Sequence, residues 1–150
     1  MRLSQGNQVA GSSPFPDGLE EIGSRIFEFS AKIKKATIPD GVKVIPSYAF
    51  FCCESLQEVR LPEQLDHLGY ESFANCTSLA SFRIPDGVPM LDYAVLASCP
   101  IKEIVIPSKV WHITDDVFDG CSSLKKVIVR SKVLEDYGWT PEGCEIIKES

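Results

Sequence analysis

Five of the ten prolines share a single register. Pro16, Pro39, Pro62, Pro85 and Pro107 lie 23, 23, 23 and 22 residues apart, and each follows a bulky apolar residue: Phe15, Ile38, Leu61, Ile84 and Ile106. A fixed period in the twenties points to stacked repeats, so it constrains the fold before any helix or strand is assigned. With that apolar residue as position 0, other columns fall into line. Position 4 holds Leu19, Val42, Leu65, Val88 and Val110, and position 7 holds Ile22, Ile45, Leu68, Leu91 and Ile113. Position 12 holds Phe27, Phe50, Phe73, Leu96 and Phe118; position 15 holds Ser30, Cys53, Cys76, Cys99 and Cys121. One residue missing beside Pro100 accounts for the single spacing of 22.

Residues 15–128 therefore divide into five units, 15–37, 38–60, 61–83, 84–105 and 106–128. The segment before each proline alternates, as in Leu56-Gln57-Glu58-Val59-Arg60-Leu61, where Val59 and Leu61 should face in and Glu58 and Arg60 out. That period of two is the mark of a half-buried strand. Proline, having no N–H, ends the ladder at the same point in each unit. Pro-Asp-Gly at 16–18, 39–41 and 85–87 reads as a turn whose glycine supplies an otherwise costly backbone angle. The position 12 phenylalanine should fill the core beneath a short turn or single-turn helix. No unit buries its apolar side alone, so neighbours must stack into a solenoid.

The repeat I-P-x-x-V-x-x-I-x-x-x-A-F-x-x-C-x-S-L-x-x-V-x closely resembles the BspA-like leucine-rich repeat. Residues 38–60, IPDGVKVIPSYAFFCCESLQEVR, match it nearly throughout, and 61–83 and 106–128 match well. The first unit departs at Ser30 and Ile26-Phe27, and the fourth carries Leu96 for phenylalanine. The resemblance implies an α/β leucine-rich-repeat solenoid, right-handed, of five stacked coils. A parallel β-sheet would form one face, with turns, single-turn helices and short strands on the other. It also implies a non-enzymatic protein-binding role, commonly at the surface of bacteria or protozoa.

Beyond residue 128 the register fails, and 129–150 reads as an irregular C-terminal cap in which Tyr137 and Trp139 close the last coil. Residues 1–14 lack the apolar stretch of a secretory signal and read as a tail or irregular cap. Localisation stays open between the surface display implied by the resemblance and the cytoplasm. An exposed first coil would leave a sheet edge for end-to-end self-association. The net charge of −6 argues against nucleic acid, and no apolar run is long enough to insert in a membrane.

Candidate chemistry is sparse. The position 15 cysteines should form an inward packing ladder of reduced thiols, although the coil spacing admits a disulfide. Cys52 and Cys144 lie outside the ladder and are the thiols expected to be more exposed. His67 and His112 share position 6 but stand two coils apart, too far for one metal, with Met90 between. Asp17, Asp40 and Asp86, with Glu63, would line one edge; turn chemistry explains them better than calcium. The glycosylation triplet Asn75-Cys76-Thr77 falls on a core cysteine. The residues suggest no metal, cofactor or catalytic set.

What remains is the outward strand face: Lys35/Thr37, Glu58/Arg60, Ser81/Arg83, Glu103/Val105 and Lys126/Ile128, coil by coil. Opposite charges such as Glu58 and Arg83 could pair across strands. The candidate protein-binding residues are Glu58, Arg60, Ser81, Arg83, Glu103, Val105, Lys126 and Ile128. Trp111-His112 beside Met90 forms a second apolar candidate on the other side. A spacer or cap within a larger surface protein is the alternative, and a thiol-based redox enzyme the remote one.

Overall fold

A computed structural model describes residues 2–3, 14–133 and 141–149, with the backbone alone for 2–3. Tyr137 and Trp139 lie outside the described residues. The 23-residue units stack as coils of a parallel solenoid, each contributing up to two short strands. The strands that end at the proline are β3 (Lys35–Thr37), β5 (Glu58–Arg60), β8 (Glu103–Ile106) and β10 (Lys126–Val129). A second set, at positions 6 and 7, comprises β2 (Glu21–Ile22), β4 (Val44–Ile45), β6 (His67–Leu68), β7 (Met90–Leu91) and β9 (His112–Ile113). Pairing is parallel and one unit apart, as in Lys35 with Glu58 and Val44 with His67.

Each end contributes a strand that the repeat pattern does not announce. β1 (Arg2–Leu3) pairs with β2, so on that side the edge of the first coil is occupied. The segment expected to be an irregular cap contributes β11 (Glu145–Lys148), which pairs with β10 through its whole length. The main sheet is also discontinuous. Residues 80–84 form no strand, leaving β3–β5 separate from β8–β10–β11. At the inward position where other coils carry Ala36, Val59, Ile104 or Val127, this coil carries Phe82, with its ring 5.0 Å from that of Phe73. Pairing thus breaks at the coil with the largest inward side chain.

The core is a column per layer, as the register predicts. Phe27, Phe50 and Phe73 are fully buried, with successive ring centroids 5.4 and 5.0 Å apart. The bends above them are not helical. Residues 24–29, 47–52, 70–75, 93–98 and 115–120 are turns. Position 10 has positive φ at Arg25, Tyr48, Glu71 and Ala94, and position 14 at Phe29, Cys52, Asn75, Ser98 and Gly120. Such angles are unfavourable for most side chains, so another interaction must hold them. The turn amides supply it by donating to the next coil. Phe27, Phe50 and Phe73 bond to the carbonyls of Ala49, Ser72 and Val95, and Phe29, Cys52 and Asn75 to those of Phe51, Ala74 and Ala97. A helix would turn these amides onto its own carbonyls instead.

Glycine in the Pro-Asp-Gly turns has two separate causes. Gly18 has the left-handed angle expected, φ +78°. Gly41 and Gly87 do not; there a Cβ would lie 3.0 Å from the Leu19 carbonyl oxygen and 2.9 Å from those of Glu63 and Leu65. Close approach of the preceding coil, rather than backbone angle, selects glycine in those two coils. Ser72, in a column otherwise made of Ile26, Ala49, Val95 and Val117, is fully buried and its hydroxyl has no partner.

Candidate binding face and thiol ladder

The outward strand positions are brought together as two rows. In one, Lys35 meets Glu58, and Glu103, Lys126 and Glu145 follow in register. Lys35 pairs with Glu58 at 3.2 Å and Lys126 with Glu103 at 3.4 Å. Exposed pairs of this kind contribute little to stability and tie up charge within the sheet. The other row runs Thr37 to Arg60 in the first sheet and Val105, Ile128 and Ile147 in the second. Those three apolar residues are each half-buried and adjacent, forming a stripe on paired strands. Ile147 extends the stripe beyond the residues singled out from the repeat, because the strand bearing it lies after the register has failed.

The centre of the face differs from the sequence-based picture. Arg83 does not meet Glu58. Its guanidinium bonds Glu63, with Nη2 3.2 Å from Oε2, and lies 4.0 Å from Asp86. Ser81 and Arg83 stand on the unpaired segment, both exposed. The same contacts give Glu63 and Asp86 a cation from the chain itself, consistent with a turn role for that acidic edge. Arg60 is exposed and makes no ion pair among the described residues. It borders a cleft of about 410 Å³ with Asp17, Thr37 and Asp40.

On the other side, Met90 and His112 are in register and the Trp111 ring lies 5.6 Å from His112. Trp111 is half exposed, so the second apolar candidate is also assembled.

All six cysteines are free thiols. Sγ of Cys53, Cys76, Cys99 and Cys121 each donates to a position 12 carbonyl one coil back: Phe27 at 3.0 Å, Phe50 at 3.2 Å, Phe73 at 3.1 Å and Leu96 at 3.1 Å. The column is a hydrogen-bond ladder as well as a packing one. Cys53, Cys76 and Cys99 are buried, whereas Cys121 is partly exposed like Cys52 and Cys144. Burial pushes the Cys53 thiol up to about 12 and that of Cys121 up to about 11. Cys76 is raised by its thiol contact with Cys99 and then by burial, and Cys52 chiefly by burial.

A thiolate is the reactive form, so these environments suppress nucleophilic and redox chemistry. Cys53, Cys76 and Cys99 should react with a disulfide reagent at pH 8 only as the protein unfolds; rapid labelling of native Cys53 would overturn the inert ladder. Folding raises the pKa of Cys53 and of Cys121, so the unfolded chain releases those two thiol protons first. Stability should hold below pH 9, the ordinary thiol value, and fall as pH rises through about 11–12.

A family profile described as a BspA type leucine-rich repeat region, with six copies, matches residues 10–135. Among solved structures, a leucine-rich repeat protein from Bacteroides ovatus ATCC 8483 is 26% identical with a TM-score of 0.73, across 91% of this chain and 41% of that one. The T. pallidum leucine rich repeat protein is 27% identical with a TM-score of 0.72, across 83% and 59%. A leucine rich cell surface protein from Faecalibacterium prausnitzii A2-165, 22% identical over 96% of this chain and 48% of that one, has the same fold with a TM-score of 0.72. The chain thus spans between two and three fifths of the length of these structures. No curated protein matches it. The proline register, the stacked parallel coils and the match over most of the length place the chain in the BspA-type leucine-rich repeat family.

Proposed function

We propose that the chain is a non-enzymatic protein-binding module whose partner docks on the sheet face formed by β8, β10 and β11. The observation that carries this reading is the Val105–Ile128–Ile147 stripe, an apolar strip on three strands paired in register. Glu103, Lys126 and Glu145 form a charged row beside it, and Glu58, Arg60, Ser81 and Arg83 extend the face toward the first coils. Such a layout, an apolar centre beside polar residues, is that of an ordinary protein interface. Arg60, charged and without an ion pair among the described residues, is the strongest candidate for a partner's carboxylate.

The measurement is affinity for a captured protein partner before and after Ile128→Asp/Ile147→Asp, with circular dichroism to verify the fold. A loss of at least about tenfold is expected, and a similar loss on Arg60→Glu/Arg83→Glu. Trp111→Asp, on the other side, should have no effect. Undiminished binding by the isoleucine variant, combined with loss in Trp111→Asp, would move the site to the second apolar patch. A spacer role is the second reading. It is favoured by the internally paired charges of the sheet and by the partial span of the similar structures.

A further inference from the structure

The bends carry a second surface that the sheet-face reading does not use. Segments 23–31, 46–55, 69–78, 92–100 and 114–123 hold seven carboxylates and one guanidinium, which leaves −6. That equals the net charge of the whole chain, so the remainder of the protein is balanced. The carboxylates are interleaved with aromatic rings. Phe29 is 67% exposed, Tyr70 50% and Tyr93 52%. Tyr70 and Tyr93 occupy the same position in successive coils, beside Glu71 and Asp92.

The single cation on this surface already shows how such a face holds one. The Arg25 guanidinium lies 4.1 Å from the centre of the Tyr48 ring and is also ion-paired to Glu28. Ring and carboxylate act together: the π face attracts the cation and the carboxylate bonds its N–H groups. Two coils further on, Tyr70 and Tyr93 again stand beside carboxylates, Glu71, Asp92 and Asp115, and no Lys or Arg of these bend segments accompanies them. Glu71 accepts from the Tyr48 hydroxyl and Asp92 from the Tyr93 amide, each through one oxygen. Their backbones are held in place, since the Tyr70 carbonyl accepts from the Tyr48 amide and the Tyr93 carbonyl from the Glu71 amide. A partner would therefore meet a backbone that is already ordered, and only the ring torsions would remain to be fixed on binding.

We propose that this bend surface binds an arginine-rich segment of a protein partner, its guanidinium groups stacking on Tyr70 and Tyr93 and pairing with the neighbouring carboxylates. Arginine fits better than lysine because its planar head stacks on a ring while its N–H groups reach carboxylates. The surface is separate from the β8–β10–β11 face and does not depend on it.

The test is fluorescence anisotropy of the full chain with a labelled nine-residue peptide alternating glycine and arginine, compared with its lysine and glutamate counterparts. The arginine peptide should bind several-fold more tightly than the lysine one, and the glutamate peptide not at all. Tyr70→Leu/Tyr93→Leu keeps charge and apolar bulk and should weaken binding about tenfold, while Tyr70→Phe/Tyr93→Phe should stay within about twofold of the parent. Equal binding by the leucine variant would reduce the effect to unspecific charge attraction and overturn the proposal. So would absence of binding by the arginine peptide. Ile128→Asp/Ile147→Asp should leave peptide affinity unchanged, which separates failure of this site from failure of the sheet-face site.

Discussion

Phe50→Ala should lower the stability of the protein by about 3–5 kcal/mol, the largest effect expected from a single core truncation here. The ring is fully buried, lying 5.4 Å from Phe27 and 5.0 Å from Phe73, with the latter pair only 6° from parallel. Stacked rings contribute about 0.5–1.5 kcal/mol per pair beyond the area they bury. The vacated space cannot close easily. Amides above and below fix the coil spacing, with Phe27 N donating to Ala49 O at 2.9 Å and Phe50 N to Ser72 O at 2.8 Å. Against a typical total of about 5–15 kcal/mol, that loss would remove a large share of the stability. Urea denaturation read by circular dichroism measures it. Phe50→Leu, the residue the fourth coil carries at this position as Leu96, should cost much less. A loss under about 1 kcal/mol for the alanine variant would mean that the aromatic column does not couple the layers.

Gly69→Ala is the second large effect, and its cause is contact between coils. A Cβ at Gly69 would lie 2.3 Å from the Ser47 nitrogen and 2.6 Å from the Pro46 carbonyl carbon, both backbone atoms that cannot rotate away. The Gly69 amide simultaneously donates to Ile45 O at 2.7 Å, so separating the coils to make room would strain that bond. Overpacking against fixed backbone costs about 3 kcal/mol at the upper end of its usual range. Gly18→Ala is the control. It has open space but φ +78°, and should lose only roughly 1 kcal/mol through backbone strain. Thermal unfolding of the two variants distinguishes the causes; equal losses would remove the steric argument.

The repeat unit was legible because the residues that set it are chemically extreme. Proline marks the end of a strand, and phenylalanine and cysteine mark buried positions, so the coil count and the core columns could be read from spacing alone. The bend could not. Its geometry depends on amides that bond to the next coil, and residues as unlike as Arg25, Tyr48, Glu71 and Ala94 share one backbone angle there. No residue type marks that column. The terminal strands were hidden for a related reason: Arg2–Leu3 and Glu145–Lys148 join the sheets by pairing with a neighbour, without the proline punctuation of the interior units. On the candidate face, the outward register of Glu58, Arg60, Glu103 and Val105 was legible, but the side-chain partners were not. Arg83 met Glu63 instead of Glu58 because its segment leaves the sheet, and that follows the break at Phe82.

The direction of the bend hydrogen bonds has an evolutionary consequence. The first four turns offer position 12 and 14 amides forward to carbonyls of the next coil, so duplication or loss of one of these units leaves those donors facing an acceptor at the new junction. Fractional changes of length are tolerated only where no such matching is required. The fourth unit is one residue short between Cys99 and Ile101, after its turn and before its strand. Its turn amides still reach the fifth unit, from Leu96 to Val117 O and from Ser98 to Asp119 O. Lineages of this fold can therefore vary in repeat number and trim this one connector, while an insertion between positions 10 and 14 would have to be removed or matched in the next coil.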